Sequence, residues 1–212
     1  MATTAQDIAR NQIAQGQAVI EQVRTKMGKL VDEFARGDIS REQFNQVYEH
    51  YQSQIVMATQ LMIDADAMKG MTITPQETFA IKSALSAKAK AMTVYYHATG
   101  LLLEIIGDFD VPVAHISQKL NDLSEKVSAG QKVETQAEKR GDQWLLYVPG
   151  KYSTTVMLVL HEPAARQIGI IETMHRDFEL ANEVALRSGH ADGASLVYPF
   201  QSFVRKSVQR KV

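Results

Sequence analysis

The stretch TVYYHATGLLLEII, which runs from Thr93 to Ile106, decides the fold of this chain. Its two halves are rich in Tyr, Val, Leu and Ile, a composition typical of strands. Ala98-Thr99-Gly100 separates the halves, and glycine at the end of such a connection can take the positive φ that a tight turn needs. The stretch therefore predicts a β-hairpin.

Upstream of this hairpin, residues 1–70 predict two antiparallel helices. Apolar residues recur every three or four positions in two stretches, and Gly37 followed by Ser40 and Gln43 has the pattern of a helix stop and a capping box. These residues form a narrow apolar stripe on each helix, and such a stripe needs another surface to cover it. The helices therefore form either a prop on the next domain or an oligomerisation device. The predicted seam between them comprises Val23, Met27, Leu30, Phe34, Phe44, Tyr48, Tyr51 and Ile55.

Residues 75–188 predict an α+β domain. The expected order is helix, strand, strand, helix, three strands and helix, which corresponds to a five-stranded antiparallel sheet with flanking helices. The first of these helices would bury Ile81, Leu85, Ala89 and Met92. The other expected elements are a helix from Val113, strands at Lys132–Glu138, Gln143–Val148 and Thr154–His161, and a last helix that begins at Pro163 or Glu172 and ends at Arg187.

Residues 189–212 are interpreted as a loose tail, with Gly193-Ala-Ser195 as a linker. The tail contains one acidic residue and four basic ones. Two roles stay open for the basic end: a disordered, solubilising terminus, or a weak contact with a membrane surface or an acidic protein. The basic residues are Arg205, Lys206, Arg210 and Lys211.

The composition excludes several classes of protein. The chain has 212 residues, a formal net charge of −1 and no cysteine, so disulfides and thiolate metal sites are impossible and no general attraction to nucleic acid is expected. No apolar run reaches the roughly 18 residues of a membrane span. The amino-terminal residues also lack the pattern of a signal peptide, and we expect a soluble cytoplasmic protein.

The sequence predicts no catalytic, metal-binding or cofactor-binding residue. It lacks the GxSxG, HExxH, GxxxxGK[ST] and GxGxxG patterns. Asp108 and Asp110 precede Pro112 and are expected to cap the following helix. Arg176, Asp177 and Glu179 are interpreted as a solvated outer face of the last helix. We therefore expect a protein that is not an enzyme.

The element order and three stretches together resemble the Roadblock/dynein light-chain family. These stretches are Val94–Ile106, the helix from Val113, and Thr155–Glu162, and the resemblance covers residues 75–188. It implies a dimerisation platform in which two copies join along the third strand, with the helices from Val113 side by side. It also implies binding to a small Ras-like GTPase, and we expect the protein to be a homodimer or a higher oligomer. The candidate interface residues are Val133, Thr135, Ala137, Ile116, Leu120 and Leu123.

Two other functions stay open. One is a sensor domain that binds a small molecule in a pocket between sheet and helices, since profilin-like, longin and sensory domains share these elements. The other is a purely structural oligomer. The amino-terminal hairpin departs from the Roadblock pattern, and it either blocks or builds the site for a partner.

Overall fold

The amino-terminal part of the computed structural model, which describes residues 5–67, 88–189, 191–201 and 204, is a helical hairpin. Helix α1 (Ala5–Ala35) and helix α2 (Arg41–Ala67) are joined by a short turn in which Gly37 has φ 79°. The predicted capping box is present. The Ser40 N–H donates to Gln43 Oε1 at 2.8 Å, and the Gln43 N–H donates to Ser40 Oγ at 3.2 Å.

A single antiparallel sheet of five strands follows within the described residues, and it confirms the predicted α+β class. The strands are β1 (Ala89–Tyr96), β2 (Leu102–Gly107), β3 (Gln136–Arg140), β4 (Gln143–Pro149) and β5 (Ser153–Val159). Their order across the sheet is β2-β1-β5-β4-β3, so β2 and β3 are the outer strands.

Helices cover both faces of the sheet. Helix α3 (Ser117–Ser128) packs on one face, and helices α4 (Ala165–Ala181) and α5 (Glu183–Arg187) pack on the other. The last predicted helix is therefore two helices, separated at Asn182. Nowhere in the part of the chain that the structure describes is a helix long and apolar enough to cross a membrane.

The helical hairpin packs on the sheet domain through helix α4. Ala181 of α4 and Val197 belong to the same apolar cluster as the hairpin seam. The Tyr48 hydroxyl of α2 also donates a hydrogen bond of 2.5 Å to the Asp177 carboxylate. These contacts agree with the interpretation of the hairpin as a prop, while its role in oligomerisation stays a prediction.

Strand β1 begins earlier than the sequence predicts. The sequence pattern predicts Ala89 and Met92 on the buried side of a helix, but they lie in β1 and pair with Val159 and Met157. Both faces of this strand are covered, so it lacks the alternation of polar and apolar residues that identifies a half-buried strand. The rest of that predicted helix, up to residue 87, lies outside the described residues.

Two further elements begin later than predicted. Strand β3 starts at Gln136 rather than Lys132. Gln136, which pairs with Tyr147, is its first residue paired with β4, and Thr135 before it bonds to Glu172 of α4 instead. The helix expected from Val113 is a single 3₁₀ turn, Val113–His115, and α3 starts only at Ser117.

The segment 191–201 is not a loose linker. Leu196, Val197 and Phe200 are almost completely buried, and Gly193–Ser195 forms a 3₁₀ turn against β2. The interpretation as a linker was wrong because this burial depends on contacts with β2 and α4 that are distant in sequence. The basic residues from Arg205 onward lie outside the described residues.

Candidate functional site

A groove of about 570 Å³ lies between α4 and the chain that leads into β3. Residues 132–135 form one wall, residues 148–150 at the end of β4 form another, and α4 forms the third. The Thr135 hydroxyl donates a hydrogen bond of 2.5 Å to Glu172 Oε1 and so ties the first wall to the helix. Buried polar groups of α4 lie at the base of this groove.

Glu179 holds the turn between β4 and β5. Its carboxylate accepts hydrogen bonds of 2.8 Å from the backbone N–H groups of Lys151, Tyr152 and Ser153. The Ser153 hydroxyl donates a fourth hydrogen bond, of 2.9 Å. Glu179 is only 9% exposed, and a buried carboxylate is tolerated because such donors replace its lost water.

His175 lies one helical turn before Glu179 and is also buried. Its Nδ1 is 2.8 Å from the Thr155 hydroxyl. Its Nε2 has no hydrogen-bond partner among the described residues and lies 3.7 Å from Glu179 Oε1. Burial lowers the pKa of His175, although the nearby Glu179 carboxylate opposes that shift. The ring is therefore neutral at neutral pH.

The turn approaches these two side chains closely at Gly150. A Cβ atom at this position would lie 2.4 Å from His175 Nε2 and 2.5 Å from Glu179 Oε1. Real Cβ contacts are essentially never that short, so any other residue would force the turn or these two side chains to move. Glycine is required here by close packing.

A second histidine lies at the end of β1. His97 Nε2 is 2.8 Å from the Thr154 hydroxyl, and its Nδ1 lacks a partner among the described residues. Burial lowers the pKa of His97 as well. Thr154 and Thr155 are neighbours in β5 and point to opposite sides of the strand. Thr154 therefore contacts His97 on one side, and Thr155 contacts His175 on the other.

The order Thr155, His175, Glu179 places a hydroxyl, an imidazole and a carboxylate in sequence, as in a nucleophilic triad. Thr155 is completely buried, however, and a nucleophile must reach its substrate. The contact is therefore structural. Among the side chains that the structure describes, no group of three or more His, Asp or Glu is placed to hold a metal ion.

No protein-family model and no curated protein matches this chain. Its candidate function therefore rests on the geometry of the groove and the sheet edges, together with the resemblance in sequence.

The predicted interface residues of the helix face the chain's own sheet. Ile116 and Leu123 are fully buried in the cluster between α3 and the sheet, and Leu120 packs partly against that cluster. None of the three forms an exposed surface for a second chain, although they lie on the inner side of the helix as the spacing predicts.

The other predicted interface residues lie at or before β3. Ala137 is exposed within the strand, whereas Thr135 precedes the strand and lines the groove. Val133 is half-buried against the cluster between α3 and the sheet. The pairing of this edge with a second chain stays a prediction.

All eight predicted seam residues come together. They belong to a single apolar cluster between the two helices, joined there by Val31, Ile39 and Val47. The seam comprises Val23, Met27, Leu30, Phe34, Phe44, Tyr48, Tyr51 and Ile55.

The interpretation of the α4 carboxylates as a solvated face was wrong. Glu179 is buried under the turn, and Asp177 accepts the hydrogen bond from Tyr48, with its pKa raised by burial. The sequence carried a signal for the burial of Glu179. Ile171, His175 and Glu179 are spaced by four residues on the buried side of α4, where a polar residue must find partners.

The expected capping role of Asp110 was also wrong. Its carboxylate forms an ion pair of 2.6 Å with Lys90 at the start of β1, and the following 3₁₀ turn has no side-chain cap. The hydrogen bond from Lys90 lowers the pKa of Asp110.

Proposed function

We propose that this protein is a non-enzymatic scaffold or regulator that forms a homodimer through β3 and binds a small Ras-like GTPase or a similar signalling protein. The observation that carries the proposal is the position of β3 as an outer strand of the sheet. An outer strand leaves backbone N–H and C=O groups unpaired, and proteins normally cover or pair them.

The two outer strands, β2 and β3, differ in what contacts their outer sides. At β2, Gly193 approaches the carbonyl of Leu103 closely. The Tyr198 hydroxyl lies 3.4 Å from that carbonyl and 2.9 Å from the carbonyl of Gly193, its closer acceptor. Within the described residues, no strand pairs with the outer side of β3. Of the two edges, β3 is therefore the one that we propose pairs with a second chain.

The hairpin geometry identifies the groups that face outward. A two-residue turn makes Arg140 and Gln143 a hydrogen-bonded pair, and such pairs alternate along an antiparallel ladder. Glu138 and Gln136 therefore bond to β4. The N–H groups of Ala137 and Lys139 point away from the sheet.

If β3 pairs with its own copy through these outward groups, the charges along the strand favour a two-fold axis at Ala137. In that register Ala137 faces its own copy, and Glu134 of each chain faces Arg140 of the other. Opposite charges across a pair of strands are stabilising, whereas like charges are not. An axis at Glu138 or Lys139 would instead place two like charges opposite each other.

A cysteine cross-link tests the dimer and its register. The chain has no cysteine, so Ala137→Cys introduces a single thiol on each chain. Hydrogen-bonded pairs have Cα atoms about 5.5 Å apart, within the range that a disulfide spans. We expect oxidation to give a covalent dimer from Ala137→Cys and none from the exposed control Ser128→Cys. Equal cross-linking of the two variants would contradict the proposal.

The GTPase as partner is supported by the Roadblock resemblance. The chain carries no phosphate-binding motif, so the catalytic groups would belong to the GTPase, and the scaffold would act by positioning them. We also propose the cytoplasm as its compartment. Calorimetry with the organism's small GTPases, loaded with GDP or a GTP analogue, tests the partner, and regulation requires unequal affinity for the two states.

The groove favours a ligand sensor as the second candidate function. It lies between the sheet and α4, and buried polar groups lie at its base. A thermal-shift screen with metabolites separates the two functions. Stabilisation by a small molecule, together with no binding to any GTPase, would favour the sensor.

A further inference from the structure

The two helices of the amino-terminal hairpin touch along one line of residues. On each helix, buried or half-buried side chains recur every seven residues, about two turns apart, and therefore lie on one face. The helices are close along this contact line, because a Cβ atom at Gly16 would lie 3.3 Å from the carbonyl oxygen of Ala58. The contact line consists of Ala9, Gly16, Val23 and Leu30 of α1 and Phe44, Tyr51, Ala58 and Ala65 of α2.

The sheet domain covers one side of the contact line. Met27 and Val31 of α1 are buried on that side, in the cluster that includes Ala181 of α4. Tyr48 of α2 donates its hydrogen bond to Asp177 of α4 from the same side. Among the described residues, no other element covers the opposite side, which is the outer face of the hairpin.

The outer face consists of the positions one and four residues before each member of the contact line. A helix of 3.6 residues per turn places these positions together on one side of the contact line. Because the two helices are antiparallel, the corresponding positions of α1 and α2 fall on the same side of the hairpin. The outer face runs from Ile8 to Lys29 on α1 and from Gln43 to Leu61 on α2.

The half of the outer face near the turn between the helices is concave. It contains a groove of about 360 Å³. Leu30, Val47 and Tyr51 supply apolar groups to its lining, and Lys26 and Lys29 line it from α1.

The other half of the outer face presents exposed apolar side chains. Val19, Met57 and Leu61 are 42%, 67% and 65% exposed. From Ile8 to Val19 on α1, and over residues 50–61 on α2, the positions of the outer face hold no Lys, Arg, Asp or Glu. Depletion of charged residues is typical of the core of a protein–protein interface.

We propose that two copies of this chain pack their outer faces together, so that the exposed apolar half of each hairpin lies on the grooved half of the other. A two-fold axis across the helices near Gln22 and Gln54 produces this arrangement. The groove and the exposed apolar side chains then lie about 10 Å along the helices on either side of the axis. A two-fold interface uses the same surface of both chains, so that surface must be complementary to itself.

The charges and the sheet domain are compatible with this arrangement. Lys26 and Lys29 of each chain face the charge-free half of the other chain, so no like charges meet. The sheet domain of each chain lies on the far side of its own hairpin and does not obstruct the contact. The interface is independent of the pairing proposed at β3.

The size of the outer face is adequate for a weak dimer. About 30 Å of two adjacent helices, each about 10 Å wide, gives roughly 600 Å² per chain, against about 800 Å² per partner in a stable complex. Its centre holds glutamines rather than the aromatic anchors that dominate tight interfaces, and ordering those side chains opposes association. We therefore expect a dissociation constant of hundreds of micromolar, above the range in which β3 pairs.

Sedimentation equilibrium of the full chain between about 5 and 500 µM tests the interface. The Ala137→Pro variant isolates it, because that substitution removes the outward N–H of β3. We expect this variant to change from monomer to dimer over the range, and the wild type to at least double its average mass. A wild type whose mass stays constant up to 500 µM would overturn the proposal and assign the face to another occupant.

Two sets of exposed positions on α2 identify the surface responsible. Met57→Glu combined with Leu61→Glu should raise the dissociation constant at least about tenfold, because the interface would remove both carboxylates from water. Val56→Glu is the matched control. Val56 is 65% exposed, like Leu61, but lies on the side of α2 away from α1 and from the outer face. Equal weakening by the two changes would overturn the proposal.

The outcomes separate this interface from the one at β3. A wild type that is monomeric at 5 µM and dimeric at 500 µM, with the dimer lost on changing Met57 and Leu61, would refute the β3 pair and support the hairpin interface. A dimer that forms at 5 µM and grows no further would do the reverse. In the wild type alone, NMR amide shifts should depend on concentration at Val19 and Met57 and not at Leu123. Shifts that change only outside the hairpin would also overturn the proposal.

Discussion

Asn182 binds the backbone of Val197 with both ends of its side-chain amide. Its Oδ1 accepts from the Val197 N–H at 3.0 Å, and its Nδ2 donates to the Val197 carbonyl at 2.9 Å. Nδ2 also donates to the carbonyl of Phe178 at 2.8 Å. Because Val197 packs in the cluster of the hairpin seam, this one side chain connects α4, the segment 191–201 and the hairpin.

Asn182→Ala should therefore destabilise the whole protein. The substitution leaves the N–H and the carbonyl of Val197 buried without partners, and each such group costs about 1–3 kcal/mol. We expect a decrease of about 2–5 kcal/mol in the free energy of unfolding, measured by urea denaturation. Asn121→Ala, at an exposed position on α3, is the control and should change it by less than about 0.5 kcal/mol. Equal midpoints for the two variants would contradict this role.

The contacts of Asn182 also show why the sequence predicts only part of this fold. The hairpin seam and the β1–β2 hairpin were predictable, because spacing and composition are local signals. The burial of Leu196 to Phe200 was not, since it depends on hydrogen bonds to a residue 15 positions away. Glu179 was missed for a similar reason, because its partners lie on a turn 26 to 28 residues earlier.

Tyr48→Phe tests the attachment of the hairpin to α4. It removes the hydroxyl that donates to Asp177 and leaves the ring in place. A typical hydrogen bond contributes about 0.5–1.5 kcal/mol and one to a charged group about 1.5–3 kcal/mol, and this one is only partly buried. We expect a loss of about 1–2 kcal/mol at pH 7. Tyr51→Phe, on the same helix, is the matched control, and a loss as large in that variant would argue against this anchor.

Gly150→Ala should destabilise the protein, while Gly169→Ala should not. The new Cβ at position 150 would overlap His175 and Glu179, and overpacking of this kind costs about 1–3 kcal/mol. At position 169, inside α4, a Cβ meets nothing within 4 Å, and alanine in a helix is more stable than glycine by about 0.5–1 kcal/mol. Thermal unfolding of both variants should give shifts of opposite sign. Unchanged stability in the Gly150→Ala variant would mean that the turn does not pack tightly on α4.

Stability should decrease as the pH falls below 6.5. Burial lowers the pKa of both His175 and His97 below the ordinary value of 6.5, so the unfolded chain binds these protons more readily than the folded chain. The contribution of these two histidines to stability is fully present above pH 6.5. It is lost as the pH falls towards their lower pKa in the folded state. Protonation of Asp177 has the opposite effect and raises stability as the pH falls towards 4, because burial raises its pKa above 3.8. Urea midpoints measured from pH 7.5 to 5 would test this, and a flat profile would contradict it.

A proline scan of β3 tests the proposed dimer at its edge. Ala137→Pro removes an N–H that points away from the sheet, so it leaves the ladder with β4 intact. Its expected result is a folded monomer in sedimentation velocity at micromolar concentration, against a dimer for the wild type. Glu138→Pro removes an N–H that bonds to β4 and clashes within the ladder, so it should lower the unfolding temperature instead. A wild type that is monomeric at micromolar concentration, or an Ala137→Pro variant that stays dimeric, would show that β3 does not pair with a second copy.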